Sequence, residues 1–256
     1  MSRFIVAFAL LMFCLPAAAI SAEFRIDTQV FVDDEATPVY KTVTLFQRRI
    51  VYDFIDASGG EITIYDPHVG RFILLDPERR VKTEIKEDVL LQFVAQVKIR
   101  AMEAGGWTAR EAADPKFRAV FDQKAQTLTL SGRRLEYVAH ASDTQFPTAA
   151  AAREYFDFID MYTRLNATRK GALPPHARLE LNQALAEHDI LPASIQRTMK
   201  SGNPLLGKSI VARSEHAIAW RLVRGDQDLI DRAARYRAEF EEVNFGEYRQ
   251  VAVPVE

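Results

Sequence analysis

Cysteine is almost absent from this sequence of 256 residues, in which Cys14 is the only example. Cys14 lies in an N-terminal segment, residues 1–22, that has the pattern of a secretory signal peptide. If this segment is removed on export, the mature chain contains no thiol. Disulfide bonds, thiol catalysis and metal sites built on cysteine are then excluded, and the exported protein must rely on its core for stability.

Long apolar runs are absent beyond that segment, so the sequence predicts no transmembrane segment in the mature chain. The segment itself starts with the single charge of Arg3 and continues with twelve apolar residues at 4–15. A proline and several small residues follow, which completes the order typical of a signal peptide. We expect cleavage after Ala19 or Ala22, with Ala22 favoured because an alternating pattern starts at Glu23. The expected location is periplasmic or secreted.

Neither sign of charge dominates, since 33 Lys and Arg residues face 35 Asp and Glu residues. Residues 1–22 carry only the charge of Arg3, so their removal changes the net charge from −2 to −3 and leaves 234 residues. A balanced surface offers no basic face to nucleic acid. The hydrophobic content of 48% and charged content of 27% are those of a globular protein. We predict a single α+β domain over residues 23–256.

Common catalytic and metal-binding motifs are missing as well. The five histidines never lie three or four residues apart, and neither H-E-x-x-H nor G-x-S-x-G occurs. No glycine-rich phosphate loop follows a predicted strand. The sequence therefore predicts a protein without a bound metal or cofactor and without enzymatic activity. An enzyme built from dispersed acid–base residues remains an alternative to the two hypotheses given below.

Two groups of predicted strands alternate between apolar and polar residues and are separated by turns. The first group is Phe24–Val32, Pro38–Phe46, Arg49–Ile55, Glu61–Asp66, Arg71–Asp76 and Val81–Ile85. The second group is Phe117–Asp122, Thr127–Ser131 and Leu135–Ala141. An apolar period of three and four residues predicts a helix over Lys86–Glu103, between the two groups.

The C-terminal half shows mainly helical patterns. The predicted helices are one capped by Thr148 and ending near Asn166, one opened by Pro174-Pro175, a short one from Leu191 to Ser201, and one from Asp226 to about Glu239. A hairpin of Lys208–Arg213 and Ala217–Val223 brings the number of strands to eleven. The expected fold is α+β, with a large curved antiparallel sheet of about eleven strands, half-barrel-like, and helices on one side.

One apolar face of this sheet is the candidate ligand site. A five-residue loop at 66–70 would place Ile64 opposite Phe72, and a four-residue loop at 77–80 would place Phe72 opposite Ile85. The residues expected to line the face are Tyr52, Phe54, Ile64, Phe72, Leu74, Phe121, Leu128 and Tyr137. The sequence leaves two interpretations open, a filled core packed under the helix at 86–103 or a cavity that holds an apolar ligand.

The leader, the absence of cysteine from the mature chain and the order of elements over residues 24–223 resemble the LolA/LolB class of periplasmic lipoprotein carriers. The run GEITIYDPHVGRFILLDPERRVKTEI, residues 60–85, is similar to the central hairpins of that class. The chain departs from the class in having no predicted helix before the first strand and a long helical stretch at 147–200. The resemblance implies an open half-barrel that shelters acyl chains, and it assigns no functional residue.

Two functional hypotheses follow from these observations. The first is an exported soluble protein that binds or carries an acyl chain, a lipoprotein or another apolar ligand in a concave sheet. The second is an envelope protein-interaction or sensing module, with a protein partner, a solid core and no ligand.

Overall fold

The computed structural model describes residues 23–56, 59–201 and 207–249, and the predicted leader at 1–22 lies outside them. The strands are β1 Phe24–Val32, β2 Tyr40–Gln47, β3 Ile50–Ile55, β4 Ile62–Asp66, β5 Arg71–Asp76, β6 Val81–Lys86, β7 Arg118–Asp122, β8 Thr127–Ser131, β9 Leu135–Ala141, β10 Pro192–Met199, β11 Ile210–Ala219 and β12 Glu241–Glu242. The helices are α1 Glu87–Ala104, α2 Trp107–Ala113, α3 Ala149–Asn166, α4 His176–Glu187, α5 Arg224–Glu239 and α6 Phe245–Arg249. No helix in these described ranges is long and apolar enough to cross a membrane.

All the strands belong to one sheet, in the order β12-β6-β5-β4-β3-β2-β1-β11-β10-β9-β8-β7. Neighbouring strands are antiparallel except for β12, which runs parallel to β6. The first group of predicted strands and the second group form two meanders, which join through the pairing of β1 and β10 with β11. The predicted α+β fold with a large curved, mostly antiparallel sheet is confirmed.

Local signals in the sequence explain several element boundaries. Arg48 and Arg49 both have positive φ, 52° and 66°, as a two-residue turn between right-twisted strands requires. The Thr148 hydroxyl accepts a hydrogen bond of 3.1 Å from the Ala151 amide and so caps α3. All nine strands predicted before residue 142 are present, with their ends within about two residues of the expected positions.

The sheet is covered on both faces. On the first face α3 contributes Tyr155, Phe158 and Leu165 to a core that also contains Phe46 and Phe72. A second cluster joins α4 to β8, β9 and β10. On the opposite face α5 contributes Ile230 and Ala233, which pack against residues of β2, β3, β4 and β5. The expectation of helices on one side is therefore wrong for α5.

The register expected between β4 and β5 is also wrong. Asp66 pairs with Arg71, so the connecting loop has four residues, 67–70, and Ile64 pairs with Ile73 instead of Phe72. Ile64 and Phe72 consequently lie on opposite faces of the sheet. The register expected between β5 and β6 is confirmed, because Phe72 pairs with Ile85.

Two elements in the region 192–223 differ from their predictions. The short helix expected from Leu191 to Ser201 is the strand β10, which begins with Pro192 at the first position, where a strand tolerates proline. The hairpin expected at Lys208–Arg213 and Ala217–Val223 is the single strand β11, which continues through Ser214 and His216. Its unbroken pairing with β1 leaves no turn at these residues.

Candidate functional site

A cavity of about 340 Å³ lies between α3, the start of α4 and the middle strands of the sheet, and we call it the central cavity. Its apolar wall is formed by Ile26, Val30, Phe46, Phe158, Ile159, Leu173, Leu191 and Ile218, together with prolines and alanines of the segment 167–175. Its polar wall is formed by Thr28, Tyr40, Thr42, Thr44, Asp53, Tyr137, Tyr155, Tyr162, Thr163, Asn166, Arg178, Arg197, Ser214 and His216. The cavity is therefore amphipathic.

The register of β1 with its neighbours places these side chains in rows across the sheet. Thr28 lies opposite Thr42 on β2 and opposite His216 on β11. The neighbouring inward-facing residue of β1, Ile26, lies opposite Thr44 and Ile218. Because inward-facing residues alternate along a strand, the residues of β1, β2 and β11 that line the cavity occur at every second position.

Asp53 is the buried acid of the central cavity, with 2% of its surface exposed. Its Oδ1 accepts a hydrogen bond of 2.6 Å from the Thr44 hydroxyl, and its Oδ2 accepts one of 2.7 Å from the Tyr162 hydroxyl on α3. Burial raises the pKa of Asp53, and the two hydrogen bonds and the charge of Arg169 oppose that rise. The carboxyl group thus joins the sheet to the helix that covers it.

His216 lies in the cavity wall, and both of its ring nitrogens have hydroxyl partners. The distance from Nδ1 to the Thr28 hydroxyl is 2.9 Å, and the distance from Nε2 to the Ser214 hydroxyl is 3.1 Å. Burial, assisted by the charge of Arg178, lowers the pKa of His216 to about 4. The imidazole is therefore neutral at pH 7, and it can both donate and accept a hydrogen bond.

Arg178 on α4 and Arg197 on β10 bring positive charge to the cavity. Arg197 pairs with Tyr137 across β9 and β10, and both side chains line the same wall. Burial raises the pKa of Tyr137, and the charges of Arg197 and Arg178 act in the opposite direction. These residues form a cationic wall beside a tyrosine hydroxyl.

A second, wider groove of about 760 Å³ runs beside α3 and α4. Charged residues make up much of its lining, among them Asp157, Asp160, Arg164 and Glu180. Apolar residues such as Leu130, Phe156 and Leu179 also line it, but they alternate with these charges on a surface that is normally solvated. The central cavity, enclosed between sheet and helices, is the better candidate for a ligand site.

The eight residues expected to line one face are divided among three packing clusters. Of the eight, Tyr137 alone lines the central cavity among the described residues. Tyr52, Phe54 and Ile64 lie on the opposite face, under α5. Phe72 and Leu74 are fully buried in the core with α3. Phe121 and Leu128 do share a face with Tyr137, as expected, in the cluster that contains α4.

Apart from Tyr137, the polar residues of the cavity were missed because their pattern resembles that of a solvated surface. Ser214-Glu215-His216 reads as a polar turn, yet Ser214 and His216 are alternate residues of β11 that both face inward. The one available signal was the alternation of Thr42 and Thr44 with more apolar residues, which marks a single face of a strand. Arg178 and Arg197 carry no such signal.

No protein-family model matches the chain, and no curated protein matches it. Among solved structures, the chain is similar to the crystal structure of a LolA superfamily protein from Nitrosomonas europaea. The sequence identity is 7%, and the match covers 80% of this chain and 89% of that chain. The TM-score is 0.27, which is too low to establish a common fold.

Proposed function

We propose that the protein binds an apolar or amphiphilic ligand, such as an acyl chain, in the central cavity and carries it outside the cytoplasm. The observation that supports this function is the cavity itself, whose volume of about 340 Å³ falls within the range of roughly 300–1,000 Å³ that is usual for ligand pockets. A solid interior would have favoured the alternative of an interaction module. The cavity therefore gives the carrier hypothesis more support than the interaction module.

The apolar wall supplies the driving force for binding an acyl chain. Phe46 and Phe158 meet edge to face with their ring centroids 5.6 Å apart, and Ile26 and Leu191 belong to the same buried cluster. Each methylene group transferred from water to such surroundings contributes about 0.8 kcal/mol. A chain of ten methylenes would gain about 8 kcal/mol by this transfer. This gain is large enough to offset much of the entropic cost of association.

Export is the second part of the proposal, and it rests on the leader pattern of residues 1–22. An apolar ligand is poorly soluble in water, so it needs a carrier to cross an aqueous compartment that lies between membranes. N-terminal sequencing of the protein recovered from its source cell tests this part. We expect the mature chain to begin near Glu23, and recovery of Met1 or Ser2 would contradict export by cleavage.

Ligand binding is tested with gently purified protein by native mass spectrometry and by uptake of a fluorescent fatty acid. We expect bound ligand in the wild type and weaker uptake in Ile159→Trp, because Ile159 lines the cavity and a larger side chain fills it. The matched control is Leu229→Trp, which enlarges a partly buried apolar residue on α5 at the other face. Equal uptake by the two variants, or none by the wild type, would refute the proposal.

A further inference from the structure

Two arginines reach the central cavity without a carboxylate partner. Arg178, in the first turn of α4, and Arg197, on β10, are both half-buried and both line the cavity. Among the described residues, no carboxylate oxygen lies within 4.0 Å of either guanidinium group. Arg169, another partly buried arginine of this region, is by contrast paired with Glu61 at 2.6 Å.

The hydrogen bonds of the two guanidinium groups are incomplete. Arg178 donates from Nε to the Asn182 side-chain oxygen at 2.8 Å, and buried Asn182 donates in turn to Asp160 at 2.9 Å. This bond orients the guanidinium group but uses only one of its five N–H groups. The Nε atom of Arg197 is buried and has no hydrogen-bond partner in the described part of the chain.

Both arginines line the central cavity together with Tyr137. Arg197 is paired with Tyr137 across the sheet, and the charges of Arg197 and Arg178 both influence the Tyr137 hydroxyl. Partly buried cations without counter-ions are unfavourable, because desolvation is not offset by a partner. Guanidinium groups bind planar carboxylates and phosphates through paired hydrogen bonds, so an anion would satisfy this group.

The position of Arg197 along the sheet separates it from Phe46 in the apolar wall. Arg197 lies opposite Ala212, and Ala212 pairs with Val32 at the last position of β1. Phe46 pairs with Phe24 at the first position of β1. The cavity therefore has the Arg197 charge towards one end of β1 and the apolar Phe46 towards the other, which is the arrangement that an amphiphile requires.

We infer that the ligand of the central cavity carries an anionic head group, a carboxylate or a phosphate, which binds between Arg178 and Arg197 while its apolar chain lies towards Phe46. This inference rests on the proposed function and specifies the chemistry of its ligand. The Tyr137 hydroxyl completes the head-group site as a neutral donor. Neutral amphiphiles of the same chain length lack the group that satisfies the two arginines.

The test compares palmitate, lysophosphatidate, hexadecanol and inorganic phosphate as competitors of a neutral apolar probe, N-phenyl-1-naphthylamine, on the mature protein. We expect palmitate or lysophosphatidate to bind at least about 10-fold more tightly than hexadecanol, as charge-assisted hydrogen bonds imply. Arg178→Gln and Arg197→Gln should each remove about 10-fold of the affinity for the anionic ligand and leave hexadecanol unchanged. Arg235→Gln is the control, because it removes the same positive charge at an exposed position on α5.

The outcomes separate the inference from the function on which it rests. Equal affinity for palmitate and hexadecanol, or equal losses in Arg197→Gln and Arg235→Gln, would overturn the anionic head group and leave the carrier function intact. Failure of the neutral probe and of every amphiphile to bind would overturn both. Binding of inorganic phosphate alone would show an anion site without an acyl chain and would also overturn the inference.

Stability without ligand provides a readout that does not depend on binding. Because Arg197 is partly buried, leaves its Nε atom without a hydrogen-bond partner and has no carboxylate partner among the described residues, its replacement by glutamine removes a charge that no counter-ion offsets. We expect the melting temperature of unliganded Arg197→Gln to equal or exceed that of the wild type. A fall of several degrees would show that Arg197 stabilises the folded protein. That result would contradict the inference that Arg197 is present for ligand binding at a cost in stability.

Discussion

The Tyr162 hydroxyl on α3 donates a hydrogen bond of 2.7 Å to Asp53 on β3, and this bond joins the helix above the central cavity to the sheet below it. Asp53 receives its second bond from Thr44 on the adjacent strand β2. Both side chains line the cavity. The distance between sheet and helix at this point is therefore fixed by a polar contact, and the packing of Phe158 on α3 against Phe46 on β2 adds to it.

Removal of this contact should destabilise the protein. Tyr162→Phe keeps the ring and removes the donor, which leaves one oxygen of buried Asp53 without a partner. We expect the free energy of unfolding to fall by about 1–3 kcal/mol in urea titrations followed by circular dichroism. Tyr236→Phe is the control, because the Tyr236 hydroxyl has no hydrogen bond among the described residues. Similar losses in both variants would argue against the Tyr162–Asp53 bond as the cause.

Asp53 should also give stability a pH dependence of opposite sign to that of most carboxylates. Because burial raises the pKa of Asp53, the folded state retains its proton at pH values where the unfolded state has lost it. The resulting stability is complete below pH 3.8 and is lost as the pH rises through the folded-state pKa. Asp53→Asn removes this effect, so its stability relative to the wild type should rise as the pH increases from 4 to 7. A constant difference across that range would contradict the raised pKa.

The strands and their register could be predicted from the sequence where one face of a strand is polar. The prediction of register fails where both faces of a strand are buried. Residues 62–65 of β4 and 72–75 of β5 are all buried, because α3 covers one face and α5 the other. Because neither face is polar, the sequence has no alternation of apolar and polar residues that could fix the register. The loop between the two strands has four residues instead of the expected five. The pairing of Phe72 with Ile85 was predictable because Lys82 and Glu84 of β6 are polar.

The candidate site was less predictable than the fold, for a related reason. Cavity-lining positions such as Thr28 and His216 are polar although they face inward, so they imitate the pattern of a turn or a solvated face. The contact partners that make them favourable lie on other strands and are distant in sequence. Tyr137, a large aromatic residue at an alternating position, was the one cavity residue predicted as such, although the alternation of Thr42 and Thr44 offered a further signal.

His216 should make the protein less stable in mild acid. Its pKa is lowered to about 4 in the folded state, so between pH 6.5 and 4 the unfolded chain binds the proton more readily. Stability is therefore present above pH 6.5 and is lost as the pH falls towards 4. The loss is as much as about 3 kcal/mol, and less where water in the cavity screens the charge.

His216→Gln isolates this effect, because glutamine can bond to Thr28 or Ser214 but does not titrate. The measurement is the urea midpoint of both proteins at intervals from pH 7 to pH 4. We expect the wild type to lose more stability than the variant over this range. His140→Gln serves as the control, since His140 is exposed on β9 and bonds to Thr127 at 3.0 Å. Parallel curves for wild type and His216→Gln would refute the prediction.

The attachment of α5 depends on one buried acid, Asp226, whose surface is fully inaccessible. It accepts a hydrogen bond of 2.8 Å from the Val223 amide at the start of α5, and it forms an ion pair of 2.5 Å with Arg25 on β1. Asp226→Ala removes the helix cap and leaves Arg25 with Asp27 as its remaining partner. We expect the free energy of unfolding to fall by about 3 kcal/mol or more.

Because α5 packs on the face opposite the central cavity, this loss should leave ligand affinity unchanged at temperatures where the variant is folded. Asp228→Ala, two residues along the same helix and exposed, should change stability by no more than about 0.5 kcal/mol. Urea unfolding and competition with the neutral probe provide the two measurements. A variant of Asp226 with full stability would show that the ion pair contributes little. A large loss of affinity with stability retained would show that the two faces of the sheet are coupled, since the cavity and α5 share strands β2 and β3.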